Sequence, residues 1–196
     1  MKVLVTGGNR GLGKSLTDFF QADSVSRSNG YDITCDYKKI AEISKDYDIF
    51  INNAFDGPPQ ETWANFAQTN LLMSVYDLWK ESNKSGLIVN IGSVGAEHVV
   101  APEPRFETYR VSKAALAHAS KQCTLAYKNN LVPFKTTLIT LDRLDTELSR
   151  SRTNWTGNGI DCADVCRYIQ FINQIQENTC VAETTLYVNY EYDGQK

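Results

Sequence analysis

VTGGNRGLG, residues 5–13, packs four glycines into nine positions directly behind the apolar run Val3-Leu4-Val5. A strand that ends in glycines and passes at once into a helical pattern lets the backbone turn sharply. It also leaves unpaired N–H groups at the positive end of a helix. No Cβ then bars a pyrophosphate from that helix end. The stretch is therefore predicted to cradle a dinucleotide, with Gly7, Asn9, Arg10, Gly11, Leu12 and Gly13 as its contacts. Counting twenty residues on from Gly7 reaches Arg27, where an acidic side chain would hold the ribose 2′-hydroxyl of NAD. The charge there is positive, and Arg10 stands inside the glycine loop itself. Two guanidinium groups suit a 2′-phosphate, so NADP(H) is favoured over NAD.

Outward from this stretch, strand-like runs at residues 2–6, 24–26, 48–51, 86–91, 134–141 and 185–190 alternate with helical patterns at 12–21, 37–45, 62–81, 108–129 and 162–176. Strands separated by helices imply a mostly parallel sheet covered on both faces. The expected fold is α/β, a Rossmann-type doubly wound parallel sheet, in one domain spanning residues 1–196. Between the strands at 24–26 and 48–51 there is room for one helix, where such folds often fit more. Residues 147–160, ELSRSRTNWTGNGI, lack a clean period and are predicted to be loop, and Asp161 is predicted to cap the helix that follows.

Composition narrows the partners. The net charge is −3 and charges of both signs alternate without a Lys/Arg block, so nonspecific nucleic-acid binding is not expected and a small molecule is. No run approaches the ~18 apolar residues of a membrane span, and the first residues leave no room for a signal peptide. The five cysteines are odd in number and scattered, as reduced thiols of a cytoplasmic protein would be. Cys162 and Cys166 lie four apart on an expected helix. With His98 and His118 the only histidines, and neither in ligand spacing, packing is favoured over a metal site.

The chemistry centres on YRVSK, in which Tyr109 and Lys113 are four apart and project from one helix face. An ammonium in that position is expected to lower the phenol's pKa from about 10 toward neutrality. Upstream stand Ser93 in VNIGSVGA, Asn52, Asn53 and Ala54 in INNA, and Asn70 in QTNLL. In this order the motifs resemble those of the short-chain dehydrogenase/reductase family, whose pattern TGxxxGxG, NNAG, a helical Asn, a Ser, then YxxxK is matched across residues 6–113. The likeness continues more faintly across 161–190.

The resemblance implies a sheet of about seven parallel strands with a nicotinamide cofactor across their carboxyl ends. It implies that Tyr109 is the general acid or base, that Lys113 holds the nicotinamide ribose and tunes Tyr109, that Ser93 binds the carbonyl oxygen, and that Asn70 supports a water in the proton relay. Asn53 and Ala54 would line the adenosine side, Asp32 in YDIT would meet the adenine amino group, and Thr146 would border the nicotinamide pocket. The implied activity is hydride transfer between NADP(H) and a carbonyl or alcohol substrate, with family-like dimerisation through the helix of Tyr109 and that of Asn70.

Three features depart from the family pattern. NNAG is NNAF here, with Phe55 in place of glycine, LDRLDT replaces the usual Pro-Gly turn before Thr146, and EHVVAPEPRFE stands as an insertion between Ser93 and Tyr109. His98, Arg105, Arg150, Arg152 and Trp155 are candidate substrate contacts, and the arginines suggest an anionic or polar carbonyl compound. The alternative reading is a catalytically silent NADP(H)-binding sensor or scaffold of the same fold. The presence together of Tyr109, Lys113, Ser93 and Asn70 favours the enzyme. A sugar-nucleotide epimerase or reductase of the family's extended branch is disfavoured, because the chain lacks length for a separate substrate domain.

Overall fold

A computed structural model describes residues 1–55, 66–97, 104–153, 155, 157–175 and 178–188, the side chains of 104–108 excepted. Strands β1 (Val3–Thr6), β2 (Asp23–Val25), β3 (Ile49–Asn52), β4 (Gly86–Ile91), β5 (Phe134–Leu141) and β6 (Glu183–Leu186) form one sheet in the order β2-β1-β3-β4-β5-β6. Every pairing is parallel. Helices α1 (Gly11–Phe20), α2 (Tyr37–Ser44), α3 (Ala67–Glu81), α4 (Pro104–Lys128), α5 (Glu147–Arg150) and α6 (Cys162–Gln174) complete the fold.

The strand sequences are almost continuously apolar, as a sheet buried on both faces requires. Alternation of side chains then divides the core. Val3, Val5, Ile49, Ile51, Leu87 and Val89 meet Leu12 and Leu16 of α1 with Val165 and Ile169 of α6. Leu4, Phe50, Ile88 and Phe134 face the other way, under α2, α3 and α4. Trp79 is fully buried there, and its Nε1 donates to Ser44 Oγ at 2.9 Å, tying α3 to α2 without leaving an indole N–H unpaired.

The chain runs from β1 outward to β2, then returns past β1 to β3 and continues in the other direction. The connections therefore diverge at the carboxyl ends of β1 and β3, the switch point at which ligands bind in open α/β sheets.

The described residues hold six strands rather than the seven implied by resemblance. Residues 26–48 contain only a 3₁₀ turn, Arg27–Asn29, and α2, so the chain crosses directly from β2 to β3 and β2 is left at the edge. Residues 62–65 of the expected 62–81 helix lie outside the described residues, and α3 begins at Ala67. The last strand starts two residues earlier than expected, at Glu183, and ends at Leu186. The expected 147–160 loop contains one helical turn, α5, whose cap is Thr146 with its side chain accepting from Ser149 N. Asp161 caps α6 by accepting from Ala163 N at 2.9 Å. Cys162 and Cys166 sit in the core beside Val165, and burial pushes the Cys166 thiol up to about 11. Among the described residues no helix is long and apolar enough to cross a membrane.

Candidate active site

The glycine loop leaves β1 at the switch point. Gly7 adopts φ +75°, and its N–H donates to Val25 O at 2.8 Å, which turns the chain toward α1. A Cβ on Gly13 would stand 2.0 Å from Gly7 O and 2.8 Å from Asn53 Nδ2, so α1 can approach the loop this closely only because glycine is there. Arg10 occupies the N-cap of α1 in an extended conformation and makes no side-chain cap bond, and the first turn contains no acidic residue. The positive end of the helix is thus presented without a carboxylate in its own first turn, as a phosphate site requires. Leu12 turns its side chain into the core, leaving its backbone at that helix end. Gly11 lies beside Thr146, whose methyl carbon would be 3.5 Å from an added Cβ.

Thr6 joins this loop to the end of β3. Its Oγ1 accepts from Asn53 N at 2.9 Å and Ala54 N at 2.8 Å, while Asn53 Nδ2 donates to Thr6 O at 2.9 Å. Asn53 and Ala54 are thereby fixed against Gly7, whose hypothetical Cβ would be 3.0 Å from that of Ala54. On the other flank, Asn9 Nδ2 donates to Ser26 Oγ at 2.9 Å, tying the loop to the turn after β2. Arg10 and Arg27 are both exposed along this edge. Asp32 is held by Thr34, whose N–H and hydroxyl donate to Oδ1 at 2.9 and 2.7 Å. Those bonds, and next the nearby Arg27 charge, lower its pKa.

Ser93 follows β4 at the same sheet edge, and α4 brings Tyr109 to it. Both side chains border Gly95, where an added Cβ would stand 3.4 Å from Ser93 Oγ and 3.5 Å from Tyr109 Cε1. Burial raises the phenol's pKa above its usual value, while the Ser93 hydroxyl and the Arg152 charge act in the opposite direction. The expectation that Lys113 acidifies Tyr109 is thus corrected. The Lys113 ammonium points instead to Gln68 Oε1 at 2.7 Å and Ile91 O at 2.8 Å, so burial dominates the phenol.

Asn70, expected in the relay, is exposed on α3. Gln68 takes the inward place: it is 5% exposed, and its Nε2 donates to Asn52 O at 3.1 Å while its oxygen receives Lys113. The signal was present in the spacing. Gln68 belongs to the stripe Gln68, Leu71, Leu72, Val75 and Trp79 on the buried face of α3, and Asn70 does not.

Lys113 itself is 4% exposed, and burial pulls its pKa down to about 7. Its ordinary value is 10.5. Between these two values the unfolded chain binds more protons than the folded one, so stability rises with pH over that window. Relative to Lys113→Met, the wild-type unfolding free energy is expected to climb by roughly 2 kcal/mol from about pH 7 to about pH 9. A pH-independent difference in denaturant titrations contradicts the buried amine.

Of the candidate substrate contacts, His98 and the Arg105 side chain lie outside the described residues. Arg150 is engaged by Asp145 through a two-pronged pair at 2.6 and 2.9 Å. Trp155 lies under the Arg143 guanidinium, 6.0 Å from ring to charge. Arg152 is the candidate whose charge reaches Tyr109.

No family model matches the chain, and no curated protein does. Solved structures do. The 3-alpha-hydroxysteroid dehydrogenase of Pseudomonas sp. B-0831, complexed with NADH, matches with a TM-score of 0.76 at 14% identity, covering 95% of this chain and 94% of that one. A 4-hydroxyisoleucine dehydrogenase complexed with NADH gives 0.73 at 18% identity over 100% of both chains. A short chain dehydrogenase of Burkholderia cenocepacia J2315, in complex with NADP, gives 0.68 at 19% identity over 95% of this chain and 90% of that one. On its sheet, and on the order in which its motifs reach the sheet's carboxyl edge, this chain has the fold of the short-chain dehydrogenases/reductases.

Proposed function

We propose that the protein is an NADP(H)-dependent oxidoreductase that interconverts a carbonyl and an alcohol on a small molecule. The observation that carries this reading is the placement of Tyr109 beside Ser93 at the same sheet edge as the glycine loop. A nicotinamide dinucleotide, when bound, supplies or accepts the hydride. Gly7, Asn9, Gly11, Leu12 and Gly13 suit its pyrophosphate, with Asn53, Ala54 and Thr146 along its length. Tyr109, kept protonated at neutral pH by burial, donates its Oη proton to the substrate oxygen as charge develops there. Ser93 donates a hydrogen bond to that oxygen and steadies it. Gln68 and Ile91 O hold two of the three Lys113 donors, and the third is assigned to the nicotinamide ribose in this reading.

Arg10 and Arg27 favour an adenosine bearing a 2′-phosphate, with Asp32 placed to accept from the adenine amino group. Arg27→Ala is expected to weaken NADPH by about tenfold while NADH changes little; equal losses in fluorescence titrations contradict the assignment. The Arg152 charge near Tyr109 favours a carbonyl compound that also carries an acidic group. Self-association through α3 and α4 belongs to the same reading, since Met73, Val111 and Leu125 stand exposed on those helices. So does a reducing cytoplasmic setting for the five free thiols.

Loss of NADPH absorbance across a panel of small acidic carbonyl compounds tests the reaction. The second reading, a silent dinucleotide binder, is favoured by the Phe55 ring resting on Tyr109. NADPH binding without oxidation of any compound is the result that selects it.

A further inference from the structure

Phe55 stands where the motif around it has glycine, and its ring lies on the two side chains that the proposed reaction needs. It meets the Tyr109 ring edge to face, with centroids 4.8 Å apart and planes at 86°. Lys113 Nζ is 5.4 Å from the Phe55 centroid and 5.8 Å from that of Tyr109. Both contacts are attractive, the first through the aromatic quadrupoles and the second through an ammonium over a ring face. Gln68 and Ile91 O take two of the three Lys113 donors. The cavity bounded by Phe55, Gln68 and Ser112 measures about 10 Å³, no more than a single water needs. Lys113 is buried, and the Phe55 ring is one of the groups packed beside its amine.

We infer that Phe55 occupies the nicotinamide-ribose subsite and that the dinucleotide binds fully only when the ring swings off Tyr109 and Lys113. This rests on the cofactor reading above. It makes Phe55 a determinant of cofactor affinity, because a ligand that fits only a fraction of the molecules binds more weakly by that fraction. The adenosine half, assigned to the turn at Arg27, does not bear that cost. Phe55 would thus hold the proton-donating pair covered and dry until the complete cofactor displaces it, whereas an adenosine nucleotide alone would leave the cover in place.

Calorimetric titrations of wild type, Phe55→Gly and Phe55→Leu with NADPH and with adenosine 2′,5′-bisphosphate test this. Phe55→Gly is expected to bind NADPH about tenfold more tightly than wild type, with Phe55→Leu between them. The bisphosphate, which lacks the nicotinamide half, is expected to bind all three alike. That binding also reports that each variant is folded, and Phe55→Leu carries the comparison if the glycine variant does not fold. Unchanged or weaker NADPH binding in the variants, with the bisphosphate unaffected, overturns the inference and leaves the cofactor reading standing. If neither NADPH nor the bisphosphate binds any of the three proteins, the cofactor reading itself is overturned.

Discussion

Tyr109→Phe is expected to lower kcat by about 10²–10⁴-fold while NADPH affinity stays within about threefold. The change removes one oxygen. The aromatic edge against Phe55 and the volume under α4 remain, so the fold and the cofactor cradle have no reason to move. What disappears is the phenol hydroxyl beside Ser93, and with it the proton for the nascent alkoxide. Because burial raises this phenol's pKa, the acid form persists through neutral pH, and carbonyl reduction should fall only on the alkaline side. Steady-state kinetics with separate cofactor titrations check both halves. Retained turnover would remove Tyr109 from the chemistry.

Gly13→Ala is expected to cost at least about 1–3 kcal/mol of stability and to weaken NADPH by roughly 100-fold. The added methyl would sit 2.0 Å from Gly7 O, a backbone atom that cannot rotate away. Relieving the contact means shifting Gly7 and its bond to Val25 O, or lifting α1 off the sheet. Either movement spreads the N–H groups that are to face the pyrophosphate. Gly30→Ala is the control: Gly30 also has positive φ, at +89°, but no atom stands within 4 Å of its added Cβ. That variant should lose stability and keep its nucleotide affinity. If Gly13→Ala binds NADPH as wild type does, the loop does not cradle it.

The glycine loop was legible in the sequence because its demands are local. A positive φ at Gly7 and the close approach at Gly13 require glycine whatever the rest of the chain does. The missing strand was legible as well, since the run between Val25 and Ile49 is too short for another crossover.

What lay beyond sequence reasoning depends on direction and distance across elements. Tyr109 and Lys113 share a helix face, yet the amine turns to Gln68 and Ile91, and a spacing of four does not report which acceptors compete for it. Asn70 came from the family resemblance; the stripe on α3 that turns Gln68 inward was readable, but that Gln68 then takes the Lys113 amine was not. Arg150 and Arg152 are two residues apart in the same segment, and only the fold shows that Asp145 takes the first while the charge of the second reaches Tyr109. Phe55 is visible as a substitution in NNAF, but that its ring comes to rest on Tyr109 is a tertiary fact.

The position of the nicotinamide in a crystal grown with NADP⁺ tests the proposed mechanism most directly. The expected density places the ring beside the Tyr109 hydroxyl and Ser93, with its ribose on Lys113 and Phe55 swung clear. A nicotinamide lodged away from Tyr109, with Phe55 still stacked on that phenol, would contradict it.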